Sequence, residues 1–192
     1  MKIPTLLVRA SRWTFAAYAT TQILRFGTNI ALARLLAPDL FGIMVIVNGV
    51  RTGVALVTDL GVGQSVVVNR NGEDPDFYDT AWTINLVRSL LLFLVCAALA
   101  IPLARFYQIE SLAVIFPVAG LYFVFGGLAS MAVPLMQKRM QYKRINAFEI
   151  VIDLLGFTVQ VLLAFFSPTI WALVFGGLFS FTVRMIGSYL VL

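Results

Sequence analysis

The sequence predicts an all-α polytopic membrane protein with six transmembrane helices, and three observations carry that reading. Of 192 residues, 60% are hydrophobic and only 12% charged, against about 45–50% and about 25% in soluble domains. Mean hydropathy is +0.94. The apolar residues gather into six runs of about 20, the length a helix needs to cross a hydrocarbon layer. A membrane barrel would need alternating segments of about ten residues, and these runs are too long and too uniform for that.

The first span runs from near Trp13 to Leu36, with Tyr18, Thr21, Gln22, Arg25, Thr28 and Asn29 at three- and four-residue steps that place them on one face. Pro38 in Leu36-Ala37-Pro38-Asp39 ends it in a tight turn, because proline disfavours helical angles in the residue before it. The second span, Phe41 to Leu60, repeats the polar stripe with Asn48, Arg51, Thr52, Thr58 and Asp59. Its end is left open, because Gly61 and Gly63 allow continuation toward Val68. Gly49 and Gly53 have the spacing that lets helices approach closely, so packing is their expected role.

The polar loop Asn71-Gly72-Glu73-Asp74-Pro75-Asp76 carries an Asn-Gly turn signal and precedes a third span, Thr80 to Leu103, with Asn85, Arg88 and Ser89. A fourth span follows from Ser111 to Met136. The fifth, Ile145 to Phe166, has Glu149, Asp153 and Gln160 on one face, and Ser167-Pro168-Thr169 turns it into the sixth, Thr169 to Leu192, with Ser180, Arg184 and Ser188. Phe125-Gly126-Gly127-Leu128 and Phe175-Gly176-Gly177-Leu178 repeat one another on spans four and six, too briefly to establish a duplication.

Several chemistries are excluded. There is no histidine, and the single cysteine, Cys96, allows neither an internal disulfide nor a clustered-thiol metal site. No metal or cofactor is expected. Gly61-Val62-Gly63 lacks the third glycine of a dinucleotide motif, and the net charge of +5 does not gather on a soluble face for nucleic acid. A cleavable leader ending near Ala31-Leu32-Ala33 would need a shorter and less polar core than this one. Lys2, Arg9, Arg12, Arg70, Lys138, Arg139, Lys143 and Arg144 fall on one side of the six spans and only Arg34 and Arg105 on the other, which predicts cytoplasmic ends. The cluster Lys138, Arg139, Lys143, Arg144 sets topology and could also hold anionic headgroups.

Arginines within spans are expensive, at about 2.5–3.5 kcal/mol each near a helix centre, and face a bundle interior or wet cavity by default. Arg25 and Arg51 lie near mid-span, whereas Arg88 and Arg184 lie nearer the cytoplasmic ends, where Glu149 or Asp153 would meet them. No carboxylate is expected at the depth of Arg25 and Arg51. Four cations against two carboxylates leave two positive charges, so an anionic ligand is expected, and phosphate suits the planar guanidinium fork. Gln22, Asn29 and Asn48 could serve sugar hydroxyls on the same faces.

Ala31-Leu32-Ala33-Arg34-Leu35-Leu36-Ala37-Pro38-Asp39-Leu40-Phe41-Gly42 followed by Asp59-Leu60-Gly61-Val62-Gly63 resembles the start of polysaccharide transporters of the multidrug/oligosaccharidyl-lipid/polysaccharide exporter superfamily. Ala81-Trp82 through Leu103-Ala104-Arg105-Phe106-Tyr107, and Gln137-Lys138-Arg139-Met140-Gln141-Tyr142-Lys143-Arg144, are similar to that family's third helix and its basic loop. The resemblance covers essentially the whole chain. It implies a flippase for undecaprenyl-pyrophosphate-linked oligosaccharide in the bacterial inner membrane, working by alternating access and serving cell-surface polysaccharides such as O-antigen or exopolysaccharide. By position Arg25, Asp39 and Arg51 match charges on the first helix, loop and second helix of related lipid II flippases.

Such proteins have twelve or more helices, so the resemblance implies an N-terminal lobe of a two-lobe transporter, completed by a C-terminal lobe or a second copy. Implied partners are the lipid-linked substrate, membrane lipids, and polysaccharide polymerase and export machinery. Glu149 and Asp153 are ion-pair or coupling candidates. The competing functions are a multidrug or metabolite antiporter of the same superfamily, disfavoured by the arginine surplus, and a membrane enzyme or scaffold of polysaccharide assembly. An enzyme is disfavoured by the short outside loops near Asp39, Arg105 and Ser167.

Overall fold

The computed structural model describes the backbone of residues 3–190 and the side chains of residues 19–190. The side chains of Lys2, Arg9, Arg12, Trp13 and Tyr18, and the last two residues of the expected sixth span, lie outside the described residues. Eight helices and no strand occur among the described residues: α1 (Ile3–Leu35), α2 (Pro38–Val57), α3 (Val62–Val68), α4 (Pro75–Tyr107), α5 (Leu112–Leu128), α6 (Ala132–Lys138), α7 (Tyr142–Phe166) and α8 (Ile170–Leu190). Four of them, α2, α4, α7 and α8, are long and apolar enough to cross a membrane, and α5 with α6 makes a fifth candidate if the bent pair is one span. That is one fewer than the six expected; α1 does not add to the number among the described residues.

The turns at Pro38 and at Ser167-Pro168-Thr169 fall where expected, but several span boundaries move. The second span stops at Val57 rather than Leu60, because Arg88 from α4 reaches the helix end. Its Nε donates to the carbonyl of Thr58 at 2.7 Å and a terminal nitrogen donates to that of Ala55 at 3.0 Å. Gly61, at φ +62°, then takes a left-handed conformation that suits a residue without a Cβ and starts the separate helix α3. The third span starts five residues early, at Pro75, whose missing N–H costs nothing in the first helical turn.

The fourth span is not continuous. α5 and α6 meet at a 50° bend, where Ala129 is extended at ψ 144° and Pro134 has no N–H to give the carbonyl four residues back. The end of α8 satisfies this break. Ser188 Oγ accepts from the Ser130 N–H at 2.8 Å, Ser130 Oγ donates to the Ser188 carbonyl at 2.7 Å, and the Tyr189 hydroxyl donates to the Leu128 carbonyl at 2.6 Å.

α8 is the central helix. α5 and α7 flank it, α4 packs along α5, and α1 packs along α7. Val47, Cys96, Phe116, Tyr122, Val174 and Leu178 belong to the main buried core between α2, α4, α5 and α8. Leu32 and Leu36 join Ala164, Ala172 and Leu173 in a second cluster, with Phe41 and Met44 against it, so α1, α2, α7 and α8 converge at the end bearing the α1–α2 turn. Away from that turn, α1 and α2 separate without extensive packing between them. The close packing expected of Gly49 and Gly53 is absent within the described residues: a Cβ added at either meets nothing within 4 Å.

At the opposite end, α3 packs on α6 and the polar loop is clasped. Arg139 donates to both Glu73 carboxylate oxygens at 3.1 and 3.3 Å, and Lys138 Nζ donates to the carbonyls of Asn69 and Arg70. The Arg139 guanidinium holds the Glu73 carboxyl below the ordinary carboxylate range. Lys138 and Arg139 therefore have structural partners, and Arg144 donates to Gln141.

Candidate functional site

A layer of polar groups crosses the bundle at mid-span. Measured from the α1–α2 turn at 1.5 Å per residue, Arg25 lies about 17 Å along α1 and Arg51 about 20 Å along α2. Asp153 on α7 and Phe181 on α8 lie about 20 and about 17 Å from the ends of their helices on the same side. Chain direction brings these groups to a common depth, and helix rotation decides which of them meet.

Arg25 Nε stands 3.8 Å from Asp153 Oδ2. The Arg25 side chain is 65% exposed and that of Asp153 only 20%. Asp153 Oδ2 is closed off from solvent and accepts no hydrogen bond among the described residues. The pair lines a cavity of about 280 Å³ whose wall also includes Thr28, Asn29, Phe157, Gln160 and Ser180. The expectation that no carboxylate reaches the depth of Arg25 is thus corrected. Asp153 sits one helical turn deeper toward the α7–α8 turn than Glu149, and that turn is the level of Arg25.

Glu149 instead takes Arg184. One guanidinium nitrogen donates to Glu149 Oε1 at 2.6 Å and the other to Oε2, a two-pronged pair between α7 and α8. Arg88 meets neither Glu149 nor Asp153. It caps α2 as described and lies 3.9 Å from Asp59, so its cation sits at a helix C-terminus, where the backbone dipole favours it.

Arg51 is different. Its guanidinium carbon lies 4.5 Å from the centroid of the Tyr122 ring and 5.7 Å from that of Phe181, and no carboxylate is within ion-pair distance among the described residues. The two rings pack at 4.9 Å, and Tyr122 is fixed by donating its hydroxyl proton to the Val174 carbonyl at 2.9 Å. Rings offer a cation their electron-rich faces, at about 0.5–2 kcal/mol each depending on hydration, without using its N–H groups. Arg51 as a whole is half-buried.

The charge excess therefore shrinks from two to one. Arg25, Arg88 and Arg184 each have a carboxylate, and Arg51 has none among the described residues. Of the other residues singled out from sequence, Asn29 joins the cavity; Gln22 is exposed on α1 outside its lining, and Asn48 is exposed on α2. Asp39 is exposed in the first turn of α2, remote from the layer, where a carboxylate suits a helix N-terminus. Sequence reasoning missed Tyr122, Phe181 and Phe157. An aromatic residue in an apolar run looks the same whether it faces lipid, core or a cation.

The layer has two parts joined through α8. Ser180 lines the cavity with Arg25 and Asp153, while its neighbour Phe181 covers Arg51.

Comparison with known proteins gives a consistent picture. A family model described as "Polysaccharide biosynthesis protein" matches residues 31–192. An uncharacterized membrane protein in the cps region of Klebsiella pneumoniae is 21% identical over 186 residues, 97% of this chain and 38% of the relative. The succinoglycan biosynthesis transport protein ExoT of Rhizobium meliloti (strain 1021) is 26% identical over 179 residues, 93% of this chain and 36% of the relative. The chain thus spans less than two fifths of the length of these curated relatives. No solved structure matches it.

Proposed function

The chain belongs to the polysaccharide biosynthesis protein family, and from that premise we propose that it is the N-terminal lobe of a flippase moving undecaprenyl-pyrophosphate-linked oligosaccharide across the bacterial inner membrane, with both lobe ends cytoplasmic. The observation that carries this reading is Arg51. A mid-span arginine held by aromatic faces, with no carboxylate beside it among the described residues, keeps both its charge and its hydrogen-bond donors for an anionic head that must enter the bilayer plane. Similarity to a succinoglycan biosynthesis transport protein supports transport rather than catalysis.

In this mechanism the pyrophosphate is drawn between α1 and α2, which separate from their common turn, and is held by Arg51 against the floor formed by α8. The isoprenoid tail stays in lipid. Release on the other side requires a second element for the lobe to rock against, supplied by a C-terminal lobe or a second copy.

The test is binding of an undecaprenyl-pyrophosphate glycan to the protein at its full native length in nanodiscs, followed by native mass spectrometry. Binding that falls at least tenfold in Arg51→Ala, with insertion unchanged, supports the reading. Equal binding by both forms makes Arg51 structural and removes the observation on which the proposal stands. A new covalent glycan product would place the protein among enzymes instead.

A further inference from the structure

The cavity between Arg25 and Asp153, at the depth of Arg51, has the wrong chemistry for a phosphate and the right chemistry for a sugar. Its cation, Arg25, already has Asp153 as counter-charge at 3.8 Å, so the site carries no surplus charge for an anion. Its acceptors are numerous. Thr28 and Ser180 spend their hydroxyl protons on the carbonyls of Leu24 at 2.8 Å and Gly176 at 3.2 Å, leaving lone pairs. The Asp153 carboxylate, one fifth exposed and with its inner oxygen Oδ2 unpartnered among the described residues, only accepts when ionised. A phosphate meeting these groups would place oxygen lone pairs against oxygen lone pairs.

Donors stand opposite. Arg25 offers the N–H groups of a largely exposed guanidinium, and Asn29 and Gln160 each carry both a carbonyl oxygen and an NH₂ group. A hydroxyl both gives and receives, so a ring of neighbouring hydroxyls satisfies such a mixed wall where a hydrocarbon would strand it. Phe157 adds an apolar surface for the C–H face of a ring. The volume of about 280 Å³ lies at the small end of ligand cavities, which run to about 1,000 Å³, and suits one ring rather than a chain of them.

Position completes the argument. Ser180 in the cavity and Phe181 over Arg51 are consecutive residues of α8, so the two parts of the layer lie at one depth on neighbouring faces of that helix. A sugar bonded directly to a phosphate would join two such neighbouring sites at one depth. We infer that the cavity of Arg25, Asn29, Asp153, Gln160 and Ser180 takes the phosphate-linked sugar ring of the substrate, that this ring is uncharged, and that Asp153 excludes acidic sugars. Arg25 thereby orients the sugar, and the anion belongs to Arg51. This rests on the flippase reading.

The experiment compares three probes on the full-length protein in nanodiscs: an isoprenyl pyrophosphate without sugar, the same lipid bearing one neutral hexose, and the same lipid bearing a hexuronic acid. The hexose should improve affinity about tenfold over the sugar-free lipid, as two or three net hydrogen bonds allow, and the uronic acid should give no gain. In Gln160→Ala and in Asp153→Ala the hexose gain should fall toward one. Asp153→Asn should admit the uronic acid. Gln160→Ala keeps the test open if loss of Asp153 impairs folding. Equal affinity for sugar-free and hexose lipids, with both dependent on Arg51, overturns the sugar cavity and leaves the flippase reading intact. Failure of all three probes to bind overturns both.

Discussion

The guanidinium of Arg51 lies over the Tyr122 ring, 4.5 Å from its centroid, and the ring is held by the hydrogen bond its hydroxyl donates to the Val174 carbonyl. This couples a charge on α2 to the packing of α5 on α8. Tyr122→Leu should remove the cation–π contact and the hydrogen bond together, costing about 2–3 kcal/mol. Arg51→Lys keeps the charge but loses the planar fork, so pyrophosphate-lipid binding should weaken about tenfold or more, as read by native mass spectrometry. Retained affinity in Arg51→Lys would show that charge alone suffices.

Gly177 extends the same dependence. A Cβ there would collide with the Tyr122 hydroxyl and come within 3.0 Å of its Cζ. Gly177→Ala should therefore displace the ring, destabilise by about 1–3 kcal/mol, and weaken anion binding without touching Arg51. Thermal unfolding and binding measured on one preparation check it; unchanged binding would mean that Arg51 holds its place without Tyr122.

Arg88 should behave as a structural residue. Arg88→Ala leaves the carbonyls of Ala55 and Thr58 without their donor, at about 1–3 kcal/mol, and should speed hydrogen exchange around residues 55–60. Exchange unchanged there would show that the helix end finds other donors.

The Arg184–Glu149 pair predicts non-additivity. Each side chain is about one third exposed, so Arg184→Met or Glu149→Leu alone should cost about 1–3 kcal/mol, mostly from the charge left behind. The double variant should recover much of that loss. Strict additivity in a double-mutant cycle would show that the pair contributes nothing as a pair.

The clasp between Glu73 and Arg139 should depend on pH. Because the folded carboxyl titrates below its ordinary range, its contribution is fully present above the unfolded value near 4.5 and is lost as pH falls through the lower folded value. Amide exchange in residues 69–74 should rise through that acidic window, and Glu73→Gln should remove the dependence. A pH-independent loop in the native protein would contradict this assignment.

Lipid dictates composition, so the apolar runs and the turns at Pro38 and Ser167-Pro168-Thr169 were legible in the sequence. Breaks made by tertiary contact were not. Nothing near Thr58 signals that Arg88, thirty residues on, will cap α2, and the 50° bend at Ala129 depends on Ser188 and Tyr189. For the polar layer, the residue types and their faces were readable, but partner choice was not. Asp153 and Glu149 lie one turn apart on the same face, and only the packing of α1 and α8 against α7 decides that Arg25 takes the first and Arg184 the second. The aromatic cover of Arg51 had no signal at all.

The bare face of α2 at Gly49 and Gly53 makes those positions reporters of whatever approaches from outside this bundle. Alanine at either fits without a clash here and favours the helix by about 0.5–1 kcal/mol. A Gly49→Ala or Gly53→Ala protein that unfolds at higher temperature yet transports more slowly would therefore locate the fault across the gap, in a surface or cargo that slides along exposed backbone and is stopped by a single methyl group.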